Sequence, residues 1–234
     1  PLPPGLVTQP GLVKSIRSGI SRGTIMKKLL KRLVGHLSHN PPRAKPQKME
    51  VLKSALVVAP EEFDEAWDLW DTLPWTPNPM NKKYNIKRKQ ATFGGTYRFA
   101  GQVSHEVNAW PRLVTRVLEF TREHSGSTDY NVVHANWYPD GTAGLEPHAD
   151  DMRKNLPGRD IYSFTFLSEP GNPRGFQVYR DGVQVEEHML DHGDLVIMSA
   201  AMQTTHKHGI KKSSAKKFQN LKRLNLTVRA WRTA

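Results

Sequence analysis

The stretch Arg223-Leu224-Asn225-Leu226-Thr227-Val228-Arg229 decides how this chain folds. Its residues alternate without a break: Arg223, Asn225, Thr227 and Arg229 fall on one side of an extended segment, and Leu224, Leu226 and Val228 on the other. The apolar side marks a packed strand, so the two guanidiniums opposite it face an interior or cleft, where an unpaired charge is costly. Such a pair needs anions. A dicarboxylate offering one carboxylate to each arginine satisfies both, because the planar guanidinium fork matches carboxylate geometry. The competing reading makes them surface arginines on an edge strand.

Upstream lies His148-Ala149-Asp150, followed 58 positions later by His208. His148 and Asp150 are two apart, so in an extended segment both side chains project to one side and can grip one ion. A His-x-Asp with a distant His is the side-chain set that holds a non-haem Fe(II) and leaves coordination positions open for a cosubstrate and O2. Asp194 to Ser199 reads as a buried strand, the stretch through Gln203 and Thr205 as a loop, and His206-Lys207-His208-Gly209-Ile210 as the next strand, which brings a histidine back over the first two ligands. His206 and His208 share a strand face, and spacing leaves both open as the third ligand.

The remaining elements are legible in outline. Leu52 to Val58 reads as a short strand. Pro60 opens a helix with Glu61 and Glu62 in its first turn and Phe63, Trp67 and Trp70 on one face. Trp75 to Lys89 is rich in Pro, Asn and Lys and reads as an exposed loop, and Pro111 to His124 is a second helix with Gly126 just past its end. Runs of strand character then follow at Tyr130 to Tyr138, Ile161 to Leu167, Gly175 to Tyr179, Asp194 to Ser199 and Arg223 to Trp231. This order suits a two-sheet jelly roll with helices on its N-terminal side.

Composition frames the site. The 234 residues, 37% of them hydrophobic, suffice for one substantial core, and the absence of cysteine excludes a disulfide framework or a thiolate metal site. Of the formal charge of +12, ten units sit between Pro1 and Met49, where there is no Asp or Glu. Met26, Leu29, Leu30, Leu33, Val34 and Leu37 recur there at helical spacing with Lys27, Lys28, Lys31 and Arg32 on the other side. This segment reads as an organelle transit peptide, as a phosphate-binding arm, or as sequence preceding an alternative start at Met26. Pro41 to Pro46 reads as the linker that ends it, and no stretch is long and apolar enough to span a membrane.

Taken in order, Asn136-Trp-Tyr138-Pro-Asp-Gly141, His148-Ala-Asp150-Asp151, Asp191-His-Gly193-Asp194-Leu-Val-Ile-Met198, His208-Gly-Ile210 and Arg223 to Arg229 resemble the AlkB family of Fe(II)/2-oxoglutarate dioxygenases, over about Trp67 to Trp231. Arg88 to Gly94 and Thr96 to Phe99 resemble the branch containing the second human homologue, a DNA repair enzyme. The resemblance implies an α+β, mainly β fold: a double-stranded β-helix (jelly roll) core over 126–234, preceded over 50–125 by N-terminal helices and a nucleotide-recognition lid, with the basic segment at 1–49. It implies His148, Asp150 and His208 as Fe(II) ligands. Arg229 would contact the 2-oxoglutarate carboxylate nearest the keto group and Arg223 the distal one, with Asn136 and Tyr138 donating and Asn225 supporting. No protein acid or base is needed, because metal, cosubstrate and O2 carry the chemistry. The implied reaction couples decarboxylation of 2-oxoglutarate to hydroxylation of an N-alkyl carbon, which then leaves as an aldehyde.

The substrate implied is DNA, with RNA as an alternative, carrying bases such as 1-methyladenine or 3-methylcytosine. The base reaches a buried metal only when flipped or single-stranded. Tyr97 and Phe99 are expected to stack on it and Asp151 to sit at the mouth. Met80 or Tyr84 is expected to act as an apolar wedge and Arg88 to steady the strand through a phosphate. Met152 departs from the family, many members of which carry an acid there that helps read the base edge. An intracellular monomer, in nucleus or organelle, completes the expectation. The alternatives are an oxygenase of the same mechanism acting on protein or a small molecule, against which the basic run Lys82, Lys83, Lys87, Arg88 and Lys89 argues, and a nucleic-acid-binding protein without catalysis.

Overall fold

The computed structural model describes residues 48–232 apart from Tyr97, Ala100 and Gly101, and describes residues 98, 99, 102 and 103 by backbone alone. The basic segment expected over 1–49 therefore lies, up to residue 47, outside the described residues. In chain order the elements are β1 (Met49–Leu52), α1 (Pro60–Trp67), α2 (Leu69–Thr72), β2 (Lys89–Phe93), β3 (Arg98–Phe99), β4 (Gln102–Val103), β5 (His105–Glu106) and α3 (Arg112–Ser125). Then come β6 (Val132–Tyr138), β7 (Leu145–His148), β8 (Ile161–Leu167), β9 (Arg174–Arg180), β10 (Val183–Leu190), β11 (Asp194–Met198), β12 (His206–Ile210) and β13 (Arg223–Arg229).

Two sheets carry the fold: a seven-stranded one in the order β1-β11-β8-β13-β6-β2-β5 and a four-stranded one in the order β10-β9-β12-β7, with β3 and β4 pairing separately. Side-chain alternation sorts the large sheet into two faces. Phe93, Val133, Ala135, Trp137, Phe164, Phe166, Leu224, Leu226 and Val228 point to the helices and form one cluster with Phe63, Trp67, Leu113 and Val117. Tyr138, Ile161, Val196 and Met198 point the other way and pack with Phe176, Val178 and Ile210 of the small sheet. Burying each large apolar side chain contributes about 1.5–3 kcal/mol. Trp137 shows how a polar atom is accommodated in this core: its indole N–H donates to the Ala66 carbonyl at 3.0 Å, in the last turn of α1. This is the expected mainly β, two-sheet jelly roll.

Local chemistry explains where the elements begin and end. Pro60 starts α1, Glu62 accepts from the Ala59 amide at 3.3 Å, and Gly126 closes α3 at φ 65°. The strand expected over Leu52 to Val58 is instead Met49–Leu52, so Met49 belongs to the sheet and not to the basic arm. The reason is Asp194. Its carboxylate accepts from the Ser54 amide (2.8 Å), Lys53 Nζ (2.7 Å) and the Asp191 amide (2.7 Å), which turns the chain out of the sheet. β1, β2 and β5, which precede residue 126, pair into the large sheet with strands that follow it, while the helices of the same stretch pack on its face. The unexpected β10 follows from Asp181-Gly182, whose φ values of 51° and 81° form the two-residue hairpin turn that Asp-Gly favours. The turn over Ala200–Thr204 is a 3-10 helix where the sequence suggests a loop.

Gly193, in the turn before β11, tests the packing. It holds φ 80°, and a Cβ there would lie 2.4 Å from the Leu56 carbonyl oxygen, whereas Gly182 at φ 81° has nothing within 4 Å. Gly193→Ala is expected to cost more than about 1 kcal/mol, and Gly182→Ala distinctly less, as read by thermal unfolding of the two variants side by side. Equal losses would mean that the close approach at Leu56 carries no weight.

Candidate active site

The inner face of β13 is polar, and its neighbours match it row by row. In antiparallel register with β6 and β8, and with β2 beyond β6, the residues form the rows Thr92–His134–Thr227–Ser163, Gln90–Asn136–Asn225–Thr165 and Tyr138–Arg223–Leu167. All of these side chains are buried. Many satisfy one another: Asn225 Nδ2 donates to Ser163 Oγ (2.8 Å) and the Phe164 carbonyl (2.7 Å), and Thr227 Oγ1 donates to Asn225 Oδ1 (3.2 Å). Thr92 bridges Ser104 and His134 Nδ1, the latter at 3.2 Å. Arg223 donates through Nη2 to Thr165 Oγ1 at 2.9 Å, and its guanidinium lies 4.9 Å from the Tyr138 ring centre.

Opposite this face, the small sheet brings the histidines together. His208 on β12 is the register partner of His148 on β7, with ring centres 4.5 Å apart. Asp150 follows just past the end of β7. One ligand atom from each of His148, Asp150 and His208 lies within 4.8 Å of the others, the one such group found among the described residues. His206 is outside it, half-buried, its Nδ1 2.7 Å from Thr205 Oγ1. The geometry thus groups His208, and not His206, with His148 and Asp150. His148 Nδ1 faces the Glu146 carbonyl at 3.0 Å, which orients Nε2 toward Asp150, 3.8 Å away. Phe176 stacks on the His208 ring at 5.5 Å between centres.

Electrostatics suit cation binding. Burial holds the His148 imidazole below its ordinary range and pushes His208 down to about 4, against the pull of the Asp150 charge, so both rings are neutral near pH 7. Burial would raise the Asp150 carboxyl, but Arg229, whose Nη2 lies 3.0 Å from Oδ1, together with His208 and His148, holds it well below the usual carboxylate range. Burial draws Arg223 down to about 10, which leaves it charged. Among the buried atoms of this site without a hydrogen-bond partner in the protein are Asp150 Oδ2, Tyr138 OH, and Nε and Nη1 of Arg223. A cation among the three ligands takes the first, and a carboxylate between Tyr138 and Arg223 takes the other three. The residues therefore fit a divalent metal beside a dicarboxylate.

Of the residues expected to meet substrate, Tyr97 lies outside the described residues, and Phe99 is described only as backbone in β3. Asp151 is held by its own neighbour, with Arg153 Nε 2.9 Å from Oδ1 and Nη2 2.5 Å from Oδ2. Met152 packs against the cluster between the sheets. Met80 and Tyr84 stand out from the Trp75–Lys89 loop, 92% and 65% exposed. Arg88 corrects the expectation of a phosphate contact: it is buried, and Nη1 donates to Gln90 Oε1 (2.8 Å) and Asn136 Oδ1 (2.6 Å). Lys89 likewise leaves the basic run, with Nζ on the Trp70 carbonyl (2.7 Å) and over the Trp70 and Trp75 rings. Sequence reasoning missed Gln90, Thr92, His134 and Gln203, all buried around the site. The first three carried a signal in the alternation of Gln90 with Thr92 and of His134, Asn136 and Tyr138.

The chain matches the family described as the 2OG-Fe(II) oxygenase superfamily over residues 54–229. It is similar to the DNA oxidative demethylase ALKBH2 of Mus musculus, 32% identical over 159 residues, which are 64% of this chain and 64% of that protein. To the Homo sapiens protein of the same name it is 31% identical over 159 residues, 64% of this chain and 59% of the relative. The match thus spans less than two thirds of the length of these relatives. Among solved structures it is similar to OsALKBH1 (TM-score 0.50, 16% identity, covering 77% of this chain and 97% of that one). It is also similar to a prolyl hydroxylase of Trichoplax adhaerens in complex with a hypoxia inducible factor peptide (TM-score 0.51, 13% identity, 91% and 94%). At these identities the shared property is the fold.

Two outcomes are expected from this geometry. His208→Ala should weaken Mn(II) binding to the metal-free protein by about tenfold or more, and His206→Ala should leave it nearly unchanged, as measured by titration with detection of free Mn(II). Equal losses would undo the choice between them. Arg223→Ala should raise the 2-oxoglutarate concentration needed for half-saturation strongly, with Mn(II) affinity retained, since its contacts are Thr165 and Tyr138 and not the three metal-cluster residues.

Proposed function

This chain belongs to the 2OG-Fe(II) oxygenase superfamily, and from that premise we propose that it removes alkyl groups oxidatively from the nitrogens of nucleobases in DNA. Fe(II), 2-oxoglutarate and O2 are the family's cofactors. His148, Asp150 and His208 would hold the metal, and Arg223 with Tyr138 the distal carboxylate of 2-oxoglutarate. Arg229, tied to Asp150, lies at the metal end of the same face, where the carboxylate nearest the keto group belongs. When bound, metal and cosubstrate activate O2: one oxygen atom enters the N-alkyl carbon, the other leaves in succinate, and CO2 is released. The hydroxylated carbon would then depart as an aldehyde, the C–N electron pair staying on the ring nitrogen and the hydroxyl proton passing to solvent.

The protein's own part is binding, orientation and exclusion of water. Arg88, Gln90 and Asn136 form one hydrogen-bonded set beside the site, so Asn136 is held in place from β2. Phe176 and Leu145 close the pocket on the small-sheet side. No step asks a protein side chain to give or take a proton at the reacting carbon.

The observation that carries the nucleic-acid reading is the hairpin-like loop over residues 76–86. The Asn78 amide donates to the Tyr84 carbonyl (2.8 Å) and the Ile86 amide to the Thr76 carbonyl (2.9 Å), while Asn78 Oδ1 accepts from the Met80 amide (2.9 Å). These bonds hold Met80 in solvent next to Lys82 and Lys83, both exposed. Behind the loop a cavity of about 880 Å³, lined by Met80, Tyr84, Ile86, Leu145 and Pro147, reaches His148. An apolar tip flanked by cations suits insertion into a base stack, with the lysines on the phosphates and the displaced base in the cavity. The relatives named as DNA oxidative demethylases support this reading. Among the described residues no helix is long and apolar enough to cross a membrane.

The test is turnover of 2-oxoglutarate to succinate in the presence of single- and double-stranded DNA and RNA carrying 1-methyladenine or 3-methylcytosine, with unmodified strands and peptides as controls. Stimulation by alkylated DNA is expected, and stimulation by peptides alone would overturn the proposal. Met80→Ala and Tyr84→Ala together should slow the reaction on duplex DNA much more than on single strands, which have no stack to open. An equal slowing on both would make the loop a general contact.

A further inference from the structure

We propose that Gln203 is a positioning residue for Asp150, tying the segment that carries this metal ligand to the turn that leads into His208. The proposal rests on the metal reading above. Strand β7 ends at His148, so Asp150 stands beyond the ladder and its peptide N–H, buried with the residue, has no strand to pair with. That N–H donates to Gln203 Oε1 at 2.9 Å, across 53 positions of chain. Gln203 is itself buried in the 3-10 turn Ala200–Thr204, and β12 with His208 begins two residues after that turn.

The other end of the same side chain fixes its orientation. Gln203 Nε2 points to Met198 Sδ at 3.7 Å, a weak acceptor at the end of β11 that also lines the pocket. With the amine on the sulfur, the carbonyl oxygen faces Asp150, and flipping the amide would set an N–H against an N–H. One side chain therefore joins the exit of β11, the turn before β12 and the loop after β7. Asp150 is held at two points: Arg229 takes carboxylate Oδ1 and Gln203 takes the backbone, while Oδ2 has no hydrogen-bond partner. Without Gln203 the buried N–H of Asp150 loses its acceptor, and Arg229 alone is left to hold the residue before the metal binds. Hydrogen-bond partners that orient a metal ligand typically alter affinity by about 10–100-fold when replaced.

Mn(II) is titrated into the metal-free full chain for wild type, Gln203→Met and Gln203→Glu, with free Mn(II) read by electron paramagnetic resonance and thermal unfolding recorded without and with saturating Mn(II). Met keeps the length and much of the volume but offers no comparable acceptor, and Glu keeps an acceptor oxygen. The expected result is that Gln203→Met weakens Mn(II) binding by about tenfold or more and shrinks the thermal shift that Mn(II) produces, while Gln203→Glu stays close to wild type in both. Unchanged Mn(II) affinity in Gln203→Met, with only the metal-free melting temperature lowered, would reduce Gln203 to a structural residue and overturn the proposal. So would an equal loss in Gln203→Glu. If Gln203→Met does not fold, Gln203→Asn, which withdraws the same amide by one methylene, takes its place with the same expected loss. Wild type failing to bind Mn(II) would instead refute the metal site itself, an outcome separate from these.

Discussion

Two guanidiniums buried on the inner face of one strand are the constraint around which this protein is organised. Arg223 and Arg229 occupy opposite ends of β13, both nearly without solvent, and a buried cation is tolerated only with partners that replace its hydration. Arg229 finds one in Asp150. Arg223 finds Thr165 and the face of Tyr138, and two of its nitrogens remain open. The polar rows to either side follow from the same demand, since a face carrying two fixed cations cannot be sealed by apolar side chains. What results is a jelly roll whose interior is apolar toward the helices and, on the opposite face of the large sheet, polar along β13 and its neighbours.

The metal-competent cluster depends on that arrangement through a second sheet. Antiparallel pairing of β7 with β12 sets His148 against His208, and the end of β7 delivers Asp150 into reach of Arg229. The arginine and the metal-competent cluster are therefore not independent features: Asp150 belongs to both, its Oδ1 lying 3.0 Å from Arg229 Nη2 and 3.8 Å from His148 Nε2. Its carboxyl stays ionised although it is buried, because the Arg229 guanidinium beside it outweighs the cost of burial. Neutral histidines and an ionised carboxylate are the protonation states in which these residues ligate metals.

Much of this was legible from period-two alternation and from the spacing of a few polar residues. Arg223 to Arg229 announces a strand with one buried polar face, and the register of that strand is what the structure adds. His206 and His208 are equivalent by spacing. The resemblance favours His208 through the Gly209-Ile210 that follows it, and the pairing of β12 with β7, a long-range property, sets that residue against His148. Arg88 and Lys89 were misleading for a related reason: both sit in a run of positive charge that resembles a solvated surface, yet β2 begins there and carries one to Asn136 and the other to Trp70. Met49 and the strand after it were displaced by Asp194, almost 150 residues away in sequence, whose carboxylate captures the turn at Lys53 and Ser54. Gln203 lay in a segment without periodicity, and nothing local marks it as the partner of the Asp150 amide.

The central claim is that one pocket holds a divalent metal and a dicarboxylate side by side, between β13 and the β7–β12 pair. The most direct measurement is a crystal structure of the full chain grown anaerobically with Mn(II) and 2-oxoglutarate, with anomalous scattering used to locate the ion. The account predicts the ion bonded by His148, Asp150 and His208, one carboxylate of 2-oxoglutarate on Arg223 and Tyr138, and its other end at the ion near Arg229. An ion ligated by His206, or a dicarboxylate bound anywhere that leaves Arg223 Nε and Nη1 without a partner, would contradict it.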